Sequence, residues 1–106
     1  MSNSNEIWGR RLKEARIAAG LSQKQLGIQA GLDEFVASPR INRYELGVHK
    51  ADYRIVQNLS KILSVPTGYF YTEEDNLAEL MLTFHRLPSR KKNDVIKFVR
   101  TLTIPE

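Results

Sequence analysis

The stretch Gly20-Leu21-Ser22-Gln23-Lys24-Gln25-Leu26-Gly27-Ile28-Gln29-Ala30-Gly31-Leu32 reads as one short helix with its start and its stop both written out. Ser22, with Gln25 three residues later, forms a capping box: the hydroxyl accepts from the third helical amide while the Gln side chain reaches back to the amide of Ser22. Leu26 and Ala30 lie four apart and point inward. Gly31 supplies the left-handed residue that ends a helix. On the upstream side Gly20 stops an earlier helix, in which Asn5 is the expected cap and Trp8, Leu12, Ala15 and Ala19 mark one face of a 3.6-residue period.

Downstream, Ser38-Pro39 pairs a capping hydroxyl with a proline at the first helical position, so a third helix is expected from there to Gly47 through Ile41, Tyr44 and Leu46. Asp33-Glu34-Phe35-Val36-Ala37, between turn and cap, reads either as a helical turn or as a loop with Phe35 and Val36 tucked into the core. Asp52 caps a fourth helix carrying the stripe Ile55, Val56, Leu59, Ile62 and Leu63. Pro66 opens a short fifth, with Tyr69 and Phe70, that ends at Tyr71. An acidic connector, Thr72-Glu73-Glu74-Asp75-Asn76, follows. Asn76 with Glu79 then makes a second capping box for a helix bearing Leu77, Leu80, Met81 and Phe84, which Pro88 ends. Ser89 caps a last helix with Val95, Ile96, Val99 and Leu102 on one side.

Composition sets bounds on what such a chain does. At 106 residues and 42% apolar content, folding can bury about two thirds of the unfolded surface, enough for a core without staples. There is no Cys, which excludes disulfides, thiolate metal sites and a Cys nucleophile and fits a reducing cytoplasmic setting. Apolar runs stop at three residues, too short for a membrane helix. His49 and His85 stand apart with no paired carboxylate at ligand spacing, so no metal site is expected. No phosphate loop, dinucleotide fingerprint or nucleophile elbow is present. The reading is therefore not an enzyme, with no cofactor, no membrane partner and no evident small-molecule ligand. The net charge of +4 is unevenly placed: residues 1–71 hold ten basic and six acidic side chains, residues 72–106 six of each. Two units are expected, 1–71 and 72–106.

Two short helices joined at Gly31-Leu32, the second rich in Arg and Asn and set among three others, have the shape of a helix-turn-helix unit. Leu12, Arg16, Gly20-Leu21-Ser22-Gln23, Leu26, Gly31-Leu32, Ile41, Arg43-Tyr44-Glu45 and Gly47, then Leu59, Ile62-Leu63, Val65-Pro66 and Tyr69-Phe70 resemble the Xre family of prokaryotic regulators, which includes the lambdoid phage repressors and Cro proteins. The resemblance covers about residues 7–71. It implies an all-α, five-helix repressor-like domain followed by two C-terminal helices, and double-stranded DNA as partner. It also implies that Arg16 and Glu45 form a buried structural ion pair, and that Gln23 meets a phosphate at a helix N-terminus. Counted outward from Ile41, the base-facing positions are Ser38, Pro39, Arg40, Asn42 and Arg43. Arg can grip guanine and Asn adenine, whereas Pro39 has no donor. Arg43 serves equally as a phosphate contact, and Lys24, Lys50 and Arg54 are phosphate neighbours by position. The sequence departs from the family in three places, one of them Lys50-Ala51, where the loop often has Pro. The resemblance implies about six residues from turn glycine to helix Ile, but Gly31 and Ile41 stand ten apart, an insertion of about four within Asp33–Ser38. Gly27 also stands where Ala is customary, which weakens that helix by about 1 kcal/mol.

The tail helices carry more apolar arc than one small neighbour hides. Leu77, Leu80, Met81, Phe84, Val95, Ile96, Phe98, Val99 and Leu102 either enlarge the core or form a dimer interface, since a regulator of this kind reads a two-fold site with two copies. The reading that follows is a homodimeric repressor of prophage or mobile-element type on an inverted-repeat operator. An antitoxin or restriction-system controller with the same fold, and an interaction adaptor without DNA affinity, are the alternatives.

Overall fold

Three glycines and one serine decide where the first four helices stop. In the computed structural model, which describes residues 4–105, α1 (Ser4–Ala18), α2 (Gln23–Gln29), α3 (Glu34–Glu45) and α4 (Tyr53–Leu63) are followed by a 3₁₀ helix (Thr67–Tyr71), α5 (Asp75–His85) and α6 (Ser89–Leu102). The fold is all-α, with no strand among the described residues. Each of α1 to α4 closes on the same backbone bond, an amide reaching back five residues: Leu21 to Arg16, Leu32 to Gly27, Val48 to Arg43 and Val65 to Ser60. That geometry needs a left-handed residue one position earlier. Gly20, Gly31 and Gly47 supply it in three cases, and Ser64 adopts it at φ 54 in the fourth.

At the starts of the helices, some local signals hold and others give way. Both bonds of the Ser22 capping box form, Ser22 Oγ accepting from Gln25 N at 3.0 Å and Gln25 Oε1 from Ser22 N at 2.8 Å, and Asp52 caps α4 through Ile55 N at 2.9 Å. By contrast, α1 is already helical at Ser4, which puts Asn5 in its first turn. The third helix begins at Glu34, not Ser38. Asp33 is its cap, its carboxylate accepting from Phe35 N at 2.9 Å, and the inserted residues form an added first turn. Pro39 therefore lies inside α3, where it has no N–H for the carbonyl four residues back, that of Phe35. Ala37 fills the core position of this turn, while Phe35 and Val36 are exposed. The fifth helix is the 3₁₀ segment after Pro66. Helix α5 starts at Asp75 without a side-chain cap, ahead of the Asn76/Glu79 box. Pro88, and not Ser89, occupies the cap position of α6.

Leu12, Leu26, Ile41, Val56, Leu59, Val65 and Phe70 are the largest fully buried side chains. Trp8 joins them, edge-on to Tyr44 at 5.8 Å and tilted on Phe70 at 5.2 Å. Ala19 and Leu46 stay outside the core. Beyond Tyr71 the chain is held by a side chain that the sequence reading passed over. Arg11, 3% exposed, donates from Nε to Thr72 O at 2.8 Å and from Nη2 to Glu73 O and Asp75 Oδ1, both at 2.9 Å, and Nη1 pairs with Glu14 at 3.0 Å. Burial alone would pull its pKa down, but the carboxylates of Asp75 and Glu14 more than offset that and hold it above the ordinary value. At the other end of α5, Arg86 donates to Ser64 O at 3.0 Å. Between these two clasps Ala78 is buried and Met81 Sδ meets Thr72 Oγ1 at 3.2 Å. Helix α6 has no buried residue. Its projection explains a radius of gyration of 15.8 Å, against about 13 Å for a compact chain of 100 residues.

Candidate nucleic-acid interface

Helices α2 and α3 form the turn unit, and their approach is set by Gly27. A Cβ there would stand 2.7 Å from Ala37 Cβ and 2.9 Å from the Ala37 backbone. The helix weakness that glycine brings is thus matched by close packing against the added turn of α3. On its inner side α3 buries Ala37, Ile41 and Tyr44.

A polar chain then braces α3 against α1 and α2. Arg16 Nε and Nη2 grip the two oxygens of Glu45 at 2.6 and 3.2 Å, and Nη1 donates to Leu21 O at 3.0 Å. The carboxylate is only 3% exposed. Gln23 Nε2 donates both to Glu45 Oε1 at 3.0 Å and to Asn42 Oδ1 at 3.1 Å. Both hydrogens of the Gln23 amide are therefore in use, so in the free chain this side chain is a strut that orients Asn42, and its backbone N–H at the start of α2 is what remains for an anion.

The candidate reading positions separate along α3. Asn42 and Arg43 are exposed on the side away from the core, Pro39 with them, whereas Ser38 and Arg40 are half-buried along its flanks. Lys24 is exposed and lies 3.5 Å from Glu34, a solvated pair of small energetic weight. Lys50 sits in the exposed loop before α4 and Arg54 in the exposed first turn of that helix. Among the described residues no cluster of three or more metal-ligating side chains occurs and no helix is long and apolar enough to cross a membrane.

On the tail, α5 and α6 enclose an open groove of about 340 Å³ lined by Leu80, Met81, Phe84, Val95, Ile96, Val99 and Arg100. Leu77, Phe98 and Leu102 are exposed outside it. Lys92, in the basic first turn of α6, stands 5.8 Å over the Phe84 ring.

Comparison with known proteins bears on the same region. A family model described as helix-turn-helix matches residues 12–70, more than half of the chain. Two relatives, an uncharacterised HTH-type transcriptional regulator of Sinorhizobium medicae (strain WSM419) and one of Rhizobium meliloti (strain 1021), are each 32% identical over 65 residues, 61% of this chain and 44% of theirs. The chain thus spans less than half the length of these curated relatives. The crystal structure of the transcriptional regulator BswR superposes with a TM-score of 0.83 at 46% identity, covering 88% of this chain and 92% of that one. On the motif, its extent and the fold it builds, the chain belongs to the Xre/Cro-type helix-turn-helix family.

Proposed function

We propose that the chain is a sequence-specific DNA-binding transcriptional regulator that places α3 in the major groove. The observation that carries this reading is the division of labour on α3. Its apolar side is packed away, its last turn is locked by Arg16, Glu45 and Gln23, and Asn42 and Arg43 stand on the outer side with hydrogen-bonding groups of the kind that read adenine and guanine edges. Ser38 and Arg40 flank them as further base contacts. Lys24, Lys50, Arg43 and the start of α2 at Gln23 supply phosphate contacts, which fix register without carrying sequence information.

The same reading makes the protein a homodimeric repressor of prophage or mobile-element type, with 1–71 as the DNA-binding unit and 72–106 as the dimerisation element. Support comes from α6, which leaves Ile96, Phe98, Val99 and Leu102 exposed, beside Leu77 and Leu80 of α5. A second copy is the occupant that suits such a face, because a two-fold contact spaces two recognition helices for an inverted repeat. Selection of bound sequences from a random duplex pool tests all of this together. The expected product is an inverted repeat with half-site centres about 10–10.5 base pairs apart, or a multiple of that. A pool that returns no enriched sequence contradicts the reading.

A further inference from the structure

Phe35 is 87% exposed. A phenyl side chain left in water forgoes the gain that burial of its apolar area brings, and this one sits in the first turn of a helix. Its amide is fixed by the Asp33 carboxylate at 2.9 Å, and the next amide, of Val36, bonds Asp33 O at 3.0 Å. The backbone that carries the ring is therefore fixed at the leading turn of α3. Its position on the helix is equally defined. Residues four and seven positions on share its face, and these are Pro39 and Asn42, on the side opposite Ala37, Ile41 and Tyr44. From Phe35 to Asn42 the axis advances about 10 Å, a span of about three base pairs.

We propose that Phe35 is a specificity-determining residue whose ring packs on the C5-methyl group of a thymine in the major groove. This rests on the DNA-binding reading above and extends the contact surface by the turn that the insertion adds. The chemistry of that end of α3 favours an apolar base contact over a phosphate. Asp33 already occupies the positive helix end, and Glu34, held toward Lys24 at 3.5 Å, repels an anion. The thymine methyl is the one apolar group that base edges present in the major groove, and aromatic side chains are suited to it. Recognition helices, moreover, enter the groove by their N-terminal residues, and Phe35 is the second residue of α3.

Replacing thymine by uracil, position by position, in the duplex selected from the random pool removes the methyl group and leaves every hydrogen-bonding edge intact. For the full chain, uracil at one position of each half-site is expected to weaken binding about fourfold per methyl. Phe35→Ala should bind the thymine duplex more weakly and no longer distinguish it from the uracil duplex, whereas Phe35→Leu should keep part of the discrimination. The exposed site leaves folding intact, which thermal unfolding of each variant checks. Two results overturn the assignment: Phe35→Ala binding both duplexes as the parent does, or losing affinity while discriminating thymine from uracil as the parent does. A parent chain that enriches no duplex at all would instead remove the DNA-binding reading, and this proposal with it.

Discussion

Helices α3 and α6 are of similar length, twelve and fourteen residues, and they end in opposite situations. Helix α3 buries Ala37, Ile41 and Tyr44 within the chain and turns Asn42 and Arg43 outward, with Phe35 at its leading end. Helix α6 buries nothing and turns Phe98, Val99 and Leu102 outward. A helix whose apolar side is satisfied internally is rigid enough to present hydrogen-bonding groups to a ligand. One whose apolar side is unsatisfied asks for protein. Between them, Arg11 and Arg86 tie both ends of α5 to the first five helices across the electrostatic border at Thr72.

The largest expected effect lies in the brace behind α3. Changing Arg16 to Leu strands the nearly buried Glu45 carboxylate and should lower stability by about 3–5 kcal/mol. The double variant with Glu45→Leu should recover much of that in chemical denaturation, and additive losses would show that the two do not act as a pair. Next comes the clasp. Arg11→Leu removes hydrogen bonds from a charged donor to two backbone carbonyls and Asp75, a loss of about 2–3 kcal/mol. Hydrogen exchange should show the first turn of α5 opening more than α2 or α3. Equal protection in all three would mean that Arg11 does not hold the tail.

The same contrast explains what could be read in advance. The capping box at Ser22, the stop at Gly31 and the buried face of α4 are written in residues within a few positions of one another, and such signals survive folding. Ser38-Pro39 misled because a hydroxyl before proline looks the same at a helix start as within a helix. What decides between them is Ala37 fitting against Gly27, a contact between two helices. Arg11 was illegible for a similar reason: its partners lie more than sixty residues away, and two of them are backbone carbonyls that every residue carries. Its grip on Asp75 also explains why α5 starts there, ahead of the capping pattern at Asn76 and Glu79. For Asp33–Ala37 the helical-turn reading holds and its alternative, a loop with Phe35 and Val36 in the core, does not: the core position of that turn belongs to Ala37, packed on Gly27.

Smaller effects sharpen the comparison. Gly27→Ala gains about 1 kcal/mol of helix propensity but presses a methyl into the Ala37 backbone, an overpacking of about 1–3 kcal/mol. A net loss in thermal stability is expected, with DNA affinity falling alongside as α3 shifts. A stabilised variant would contradict the close packing. Smallest in stability is Phe98→Glu, on the side of α6 outside the groove, which should change the unfolding of the single chain by about 0.5 kcal/mol or less. In sedimentation at micromolar concentration the parent should run as a dimer and this variant as a monomer. A parent that is itself monomeric would leave α6 without the partner assigned to it.

The most direct measurement concerns the outer side of α3. Binding of the selected duplex is compared for the parent chain, for the double variant Asn42→Ala/Arg43→Ala, and for Lys97→Ala on the exposed side of α6, over a series of salt concentrations. Loss of base contacts costs about 1–3 kcal/mol each, so the double variant should bind at least tenfold more weakly, with preference relaxed at specific base pairs, while Lys97→Ala binds as the parent does. If the double variant binds the selected duplex with unchanged affinity and sequence preference, α3 does not read DNA and the account fails at its centre.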